Sequence, residues 1–260
     1  MVFSSQQNMG NRRPNNHLSF RSANPALSSK TFDGLPTVSD ANVMTINGTV
    51  NRIGISLAIL LFFGAITFIL EIVSFIFVGV IGGLVLALVT IFKKNLAPFT
   101  VPAYAALQGL ALGGISFVFN TMYEGIVLQA ISLTLGILFS LLFAYKTRLI
   151  KPTENFKLGV AAATGGIFVV YMISFVMSLF GSGLSIMNVN NSSLFSIGFS
   201  LLVVVIASLN LVLDFDFIEE GSEKGIPKYM EWYGAFGLLV TLIWLYIEIL
   251  HLLAKLRGRQ

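Results

Sequence analysis

The chain contains no cysteine. A disulfide framework, a thiolate metal site and a cysteine nucleophile are thereby excluded, although the absence identifies no compartment. Charge is scarce too: Asp, Glu, Lys and Arg make up 11% of the 260 residues, against roughly 25% in an ordinary soluble domain. A water-soluble globule of this composition would lack the polar groups to cover its surface. No His-Glu-x-x-His pair, Gly-x-Ser-x-Gly turn or phosphate-binding glycine loop is present, and the only histidine in an apolar run, His251, lies near its end. Zinc, serine-nucleophile and nucleotide chemistries therefore have no foothold. Neither an enzyme nor a bound cofactor is expected.

What the chain does have is hydrophobic sequence, 55% of its residues, gathered into long runs divided by short segments that hold almost all the Lys and Arg. Such segregation points to a lipid bilayer as the surrounding medium. The formal charge is +4, but a nucleic-acid-binding face would interleave basic residues with aromatics. Here the basic residues sit at run ends and in the N-terminal segment, which excludes nucleic acid as a partner.

Residues 1–46 are rich in Asn, Ser, Arg and Pro and include no apolar run, so they read as a disordered polar cytoplasmic tail. A transmembrane domain is expected over residues 47–260. No short apolar segment with a small-residue cleavage site precedes the first span, which is expected to serve as the insertion signal. Residues 53–92 are interrupted only by Glu71 and are long enough for two crossings of about 20 residues each. They predict two helices, 53–70 and 74–92, with a tight turn near Glu71. Further spans follow at about 101–120, 126–145, 158–180, 194–217 and 233–254. The expected fold is an all-α polytopic transmembrane helical bundle of about seven spans.

Orientation follows from the basic residues. Lys93 and Lys94, the segment from Lys146 to Lys157, the segment from Lys224 to Lys228 and the flank with Lys30 and Arg52 alternate with connections that lack Lys and Arg, near Glu71 and at 121–125 and 181–193. The positive-inside rule places the N-terminus in the cytoplasm. Lys255, Arg257 and Arg259 then close the chain on the outer face, against that rule. Either a short basic end crosses the membrane or one segment is re-entrant. Gly79 with Gly83, and Gly109 with Gly113, are small-xxx-small pairs that let helix backbones approach closely, a feature of ordinary bundle packing.

Most of the twelve Asp and Glu residues lie in the tail, at helix ends or between Glu219 and Glu231, where solvation explains them. Asp214, Asp216 and Glu248 are different, because they fall in the last two apolar runs, and with His251 they are the candidates for a pH-sensing gate. An ionised carboxylate facing lipid costs at least a few kcal/mol, so such groups normally face a bundle interior or a watery cavity. Ser196, Ser200, Ala207, Asn210 and Asp214 recur at helical steps on the sixth span, and Thr241, Glu248, His251 and Lys255 do so on the seventh.

If these stripes face each other they enclose a polar path, with Asn210, Ser200, Thr241 and Gln108 as candidate lining groups. Interhelical hydrogen bonding is the plainer role for each of those four. Two carboxylates held close in low dielectric cannot both ionise easily, so Asp214 and Glu248 would share a proton and titrate as a unit. They would also offer a weak Ca²⁺ site, short of the six to eight oxygens of a tight one. Transient occupancy of that kind suits conduction.

Each residue also has a structural explanation: a hydrogen-bonded helix end for Asp214, a solvated interface for Asp216, and an interfacial position for His251, whose other reading is a pH sensor. Geometry raises an objection to the pair. Asp214 lies near the inner end of its span, while Glu248 is about fifteen residues into the next, roughly 22 Å along a helix. They meet only if the sixth helix continues past the membrane face, or if the seventh starts later or tilts.

At these residues the chain resembles the Bax inhibitor-1 family of membrane proteins, in its bacterial YccA-like branch. The resemblance rests on Asn24-Pro25-Ala26-Leu27, on Met44-Thr45-Ile46-Asn47-Gly48-Thr49 and on Tyr104-Ala105-Ala106-Leu107-Gln108-Gly109-Leu110. It is strongest in Leu213-Asp214-Phe215-Asp216 and Trp244-Leu245-Tyr246-Ile247-Glu248-Ile249-Leu250. It implies seven helices with the last one central, and a pH-sensitive calcium leak governed by an acidic pair that Asp214 and Glu248 match, Glu248 standing where relatives carry Asp. Gln108 stands where relatives often carry an acid. No Arg lies within a span to match the arginine that other branches pair with the carboxylate.

Two functions follow as expectations. The first is a passive, proton-modulated cation leak for Ca²⁺ in a bacterial inner membrane. The second is a regulatory protein that binds and restrains other membrane proteins, such as a membrane-bound protease.

Overall fold

A computed structural model describes residues 42–259. The motif Asn24–Leu27, Lys30 and the rest of the tail up to residue 41 lie outside the described residues. Seven helices follow in order: α1 (Ile46–Ile69), α2 (Phe75–Phe92), α3 (Ala97–Met122), α4 (Ile126–Lys146), α5 (Glu154–Leu179), α6 (Leu194–Glu223) and α7 (Met230–Arg257). Each is long and apolar enough to cross a membrane, and no strand occurs among the described residues. The chain is an all-helical integral membrane protein with the seven spans expected.

Local chemistry sets the helix ends. Thr45, Thr153 and Ser193 are extended N-caps whose hydroxyls accept from the backbone N–H of Gly48, Phe156 and Ser196, meeting donors that the first turn leaves unpaired. Gly125 takes φ +76° at the α3–α4 turn, where a side chain would be strained, and its N–H donates to Asn120 Oδ1 at 3.0 Å. The turn predicted near Glu71 is present, with Glu71 itself at φ 55°.

The last helix is central. It packs on α1, α3, α4 and α6 and is the most buried span, whereas α2 rests on α3 and α5 lies at the edge against α6. Both glycine pairs act as close-approach points. A Cβ on Gly113 would collide with the Gly64 carbonyl of α1, and one on Gly109 would lie 2.5 Å from the Leu60 carbonyl. On the other side of α3, Gly79 and Gly83 meet Leu107, Ala111 and Gln108. Gly113→Leu is accordingly expected to lower stability by about 1–3 kcal/mol or more through overpacking, read as thermal unfolding in detergent. Gly136→Leu, at a position with open space around it, should change nothing.

Two expectations need correction. The sequence predicts a disordered tail up to residue 46, but Asn42 to Thr45 are ordered against the α6–α7 connection. Met44 donates to the Ile226 carbonyl at 2.8 Å, Lys228 donates to Asn42, and Met44 is 1% exposed. The sixth span was ended at Phe217, yet α6 continues to Glu223. This extra length carries α6 past the start of α7 and shortens the axial gap between Asp214 and Glu248 without closing it.

The faces sort as the basic residues suggested. The N-terminal strap, the α4–α5 connection and the α6–α7 connection share one end of the bundle. The C-terminus lies at the other end with the α3–α4 and α5–α6 connections. Arg257 donates to the Glu124 carbonyl at 2.6 Å and to Gln129 Oε1 at 2.9 Å, and Lys255 donates to the Ile186 carbonyl at 2.8 Å. Two of the three basic residues that resisted the topology are thus occupied by the protein's own carbonyls.

Candidate functional site

The polar stripes of α6 and α7 do oppose each other, and their register decides what they bring together. Lys255 Nζ donates to Ser200 Oγ at 2.9 Å, and Thr241 stands beside Asp214. Antiparallel helices tied at 255 with 200 and at 241 with 214 place Ala207 at the level of Glu248. The two carboxylates therefore lie two turns apart, about 10 Å along the axis. The expected contact pair, and the single weak Ca²⁺ site shared by both, are not formed. Among the described residues no three of His, Cys, Asp and Glu converge as metal ligands.

Asp214 is 0% exposed, and among the described residues neither carboxylate oxygen meets a partner in full hydrogen-bond geometry, the Thr241 hydroxyl being the polar group beside it. The Thr241 hydroxyl beside it is directed at the Gly237 carbonyl, 3.3 Å away. An ionised carboxylate in such a place would cost several kcal/mol, so the position is held against its own energetics. Asn210, one turn earlier, looks toward α5: its amide donates to Thr164 Oγ1 and to the Ile206 carbonyl, both at 2.8 Å, and its Oδ1 is buried without a partner.

Glu248 is buried by contrast in a full shell. It accepts from Tyr171 Oη at 2.5 Å and from Trp244 Nε1 at 3.2 Å, with His251 Nδ1 3.9 Å away. His251 is a third exposed, and its ring lies 5.7 Å from that of Phe119. Asp216, read as a solvated interfacial acid or a member of the sensor, is instead paired to Lys157 of α5 at 2.6 Å. Gln108 does not line the seam. It is held against Gly83 of α2 on the far side of α3, because Gly109 and Gly113 turn the adjacent face of that helix toward α1.

Three participants went unnoticed in the sequence. Tyr171 and Lys157 sit on α5, whose apolar run offered no stripe to single them out. Glu231 was read as a solvated loop acid, yet it is 1% exposed in the first turn of α7. Its Oε1 accepts from both the backbone N–H and the hydroxyl of Thr45, at 3.2 and 3.0 Å. Arg52 approaches its Oε2 at 3.7 Å and lies over the Trp232 ring. The Thr45 motif ahead of the first span was the available signal. Loss of two charge-assisted bonds predicts that Glu231→Ala costs roughly 2–3 kcal/mol. Chemical unfolding would measure it, and Glu219→Ala, on a partly exposed acid, should cost less.

The arrangement is thus a seam that holds an unpartnered acid, Asp214, on the strap side of Glu248. Glu248 is a solvated-like acid in a protein shell, and an ammonium group, Lys255, closes the far end. A family model described as Bax inhibitor 1 like matches residues 7–258. No curated protein and no solved structure matches the chain.

Proposed function

The chain belongs to the Bax inhibitor 1 like family, whose model covers nearly all of it, and on that footing we propose that it is a passive cation leak in a bacterial inner membrane, carrying Ca²⁺, with its N-terminus in the cytoplasm. The observation that carries this reading is Asp214, fully buried in the seam with both oxygens unpartnered. A structural carboxylate would be hydrogen-bonded. One left without partners is suited to exchange a proton and to meet a cation that enters when the seam loosens.

Glu248 is a second, separate station, held ready by Tyr171 and Trp244. The acids act in sequence along one path, since the register keeps them from sharing one proton. Proton gain at Asp214 removes the charge that attracts a cation, and proton loss restores it. His251 stands beside Glu248 and is partly exposed. Ser200 and Thr241 line the path, and their hydroxyls with the two carboxylates offer the oxygen ligands that a hard cation prefers.

Calcium uptake into proteoliposomes at several pH values tests the proposal. Wild type is expected to show flux that changes with pH, and Glu248→Gln to reduce it. Flux equal to that of empty vesicles at every pH would defeat the reading.

A second reading, regulation of other membrane proteins, is favoured by one observation. The strap Asn42–Thr45 is bonded directly to the start of the central helix, so a partner that grips residues 1–41 would act on α7. Deleting residues 1–40 should then abolish partner capture while Asp214→Asn leaves it intact.

A further inference from the structure

A second feature lies on the face of α7 turned away from the polar seam. Leu239, Leu242, Ile243 and Tyr246 form the floor of a cleft of about 650 Å³, with α1 and α4 as its walls and α3 behind. The floor presents no unmet polar group, because the Tyr246 and Ser116 hydroxyls bond to each other at 2.6 Å. Among the described residues no Asp, Glu, Lys or Arg lines the cleft. An apolar cavity of this kind does not hold water, and left empty it would forfeit the dispersion contacts of its walls.

We propose that this cleft is a binding site for a single membrane phospholipid, with one acyl chain laid along α7 and its phosphate at the Arg257 end. Three observations carry it. The mouth opens between Leu61 and Leu128, which are 50% and 72% exposed, so the cleft is continuous with the surface that the spanning helices present to lipid. It also runs from the α3–α4 turn at Gly125 to Leu135 on α4. Those ten residues measure about 15 Å, half of a hydrocarbon core of about 30 Å, which is the reach of one leaflet.

The third observation is charge at the rim. Arg257 is tied to the Glu124 carbonyl and to Gln129, directly beside Gly125, and Arg259 follows it. A guanidinium has five donors, of which two bonds are described here, so donors remain for a phosphate. The acyl chain lies where α1 and α4 would otherwise have to close on each other, so the lipid completes the packing of the central helix.

Native mass spectrometry of the full chain extracted in mild detergent tests this. Wild type is expected to carry one phospholipid per chain. Ala65→Trp, which places a ring in the cleft from its α1 wall, should lower that occupancy at least fivefold, while Val78→Trp on the lipid-exposed face of α2 should leave it unchanged. Should Ala65→Trp fail to fold, wild type stripped of lipid by a harsher detergent should unfold at a lower temperature and recover when phospholipid is returned. The proposal is overturned by wild type without phospholipid, by a free fatty acid or detergent in its place, by equal occupancy in Ala65→Trp and wild type, or by stripped protein that unfolds unchanged.

Discussion

Asp214→Leu is expected to make the protein more stable and to abolish its pH-dependent cation flux. The carboxyl group is fully enclosed, and among the described residues neither oxygen meets a partner in full hydrogen-bond geometry. Replacing an unsatisfied buried polar group by an apolar one of similar size removes a desolvation cost of about 1–3 kcal/mol, and the position is already surrounded by helix. Thermal unfolding in detergent should therefore show an upward shift.

The same substitution takes away the carboxylate that the proposed leak uses in that part of the seam, so flux and its pH dependence should vanish together. Asp214→Asn separates the two effects: it keeps a polar group and stays near wild-type stability, but cannot ionise. Gain in stability with loss of activity marks a residue kept for function. A destabilised Asp214→Leu protein with unchanged flux would show the carboxylate to be structural.

Lys255→Met is expected to raise cation flux tenfold or more. The ammonium group sits at the C-terminal end of the seam, bonded to Ser200 and to the Ile186 carbonyl, and the residue is 2% exposed. Lys255 lies seven residues beyond Glu248, about 10 Å along α7. At an effective dielectric near 20, a fixed charge at that distance repels a divalent ion at Glu248 by about 3 kcal/mol.

Solvent screening reduces that figure, and a residual 1.4 kcal/mol still corresponds to a tenfold change in rate. The Ile186 carbonyl keeps the Ser196 hydroxyl as a donor at 2.9 Å, so the loop has a second tie when the lysine is removed. Lys255→Arg retains the charge and should stay near wild type. Equal flux in Lys255→Met and wild type, with Asp214→Asn still altering it, would remove Lys255 from the gate while leaving the leak itself in place.

Membrane residence, seven spans and a polar stripe on each of the last two helices were all legible in the sequence, because each rests on a property that a helix carries by itself. Hydrophobic length fixes a span, and steps of three and four residues fix a face. The glycine pairs were legible as contact points for the same reason. Glu231 and Gln108 were misjudged where that reasoning ends. Both depend on which neighbour a face meets: for Glu231 the strap that folds back over α7, and for Gln108 the helix on the far side of α3.

By itself the sequence determined the class of protein, the number of crossings and the acids that would sit inside the membrane, since the cost of placing charge or unpaired backbone in hydrocarbon is paid locally, residue by residue. The tertiary structure alone decided that Asp214 lacks a partner among the described residues, that Glu248 is two turns away and bonded to Tyr171 of α5, and that Lys255 is tied to Ser200 at the far end. Those relations follow from the register between two antiparallel helices. Extending α6 by six residues beyond its predicted end shifts every opposed pair, and periodicity within one helix contains no measure of its offset from another.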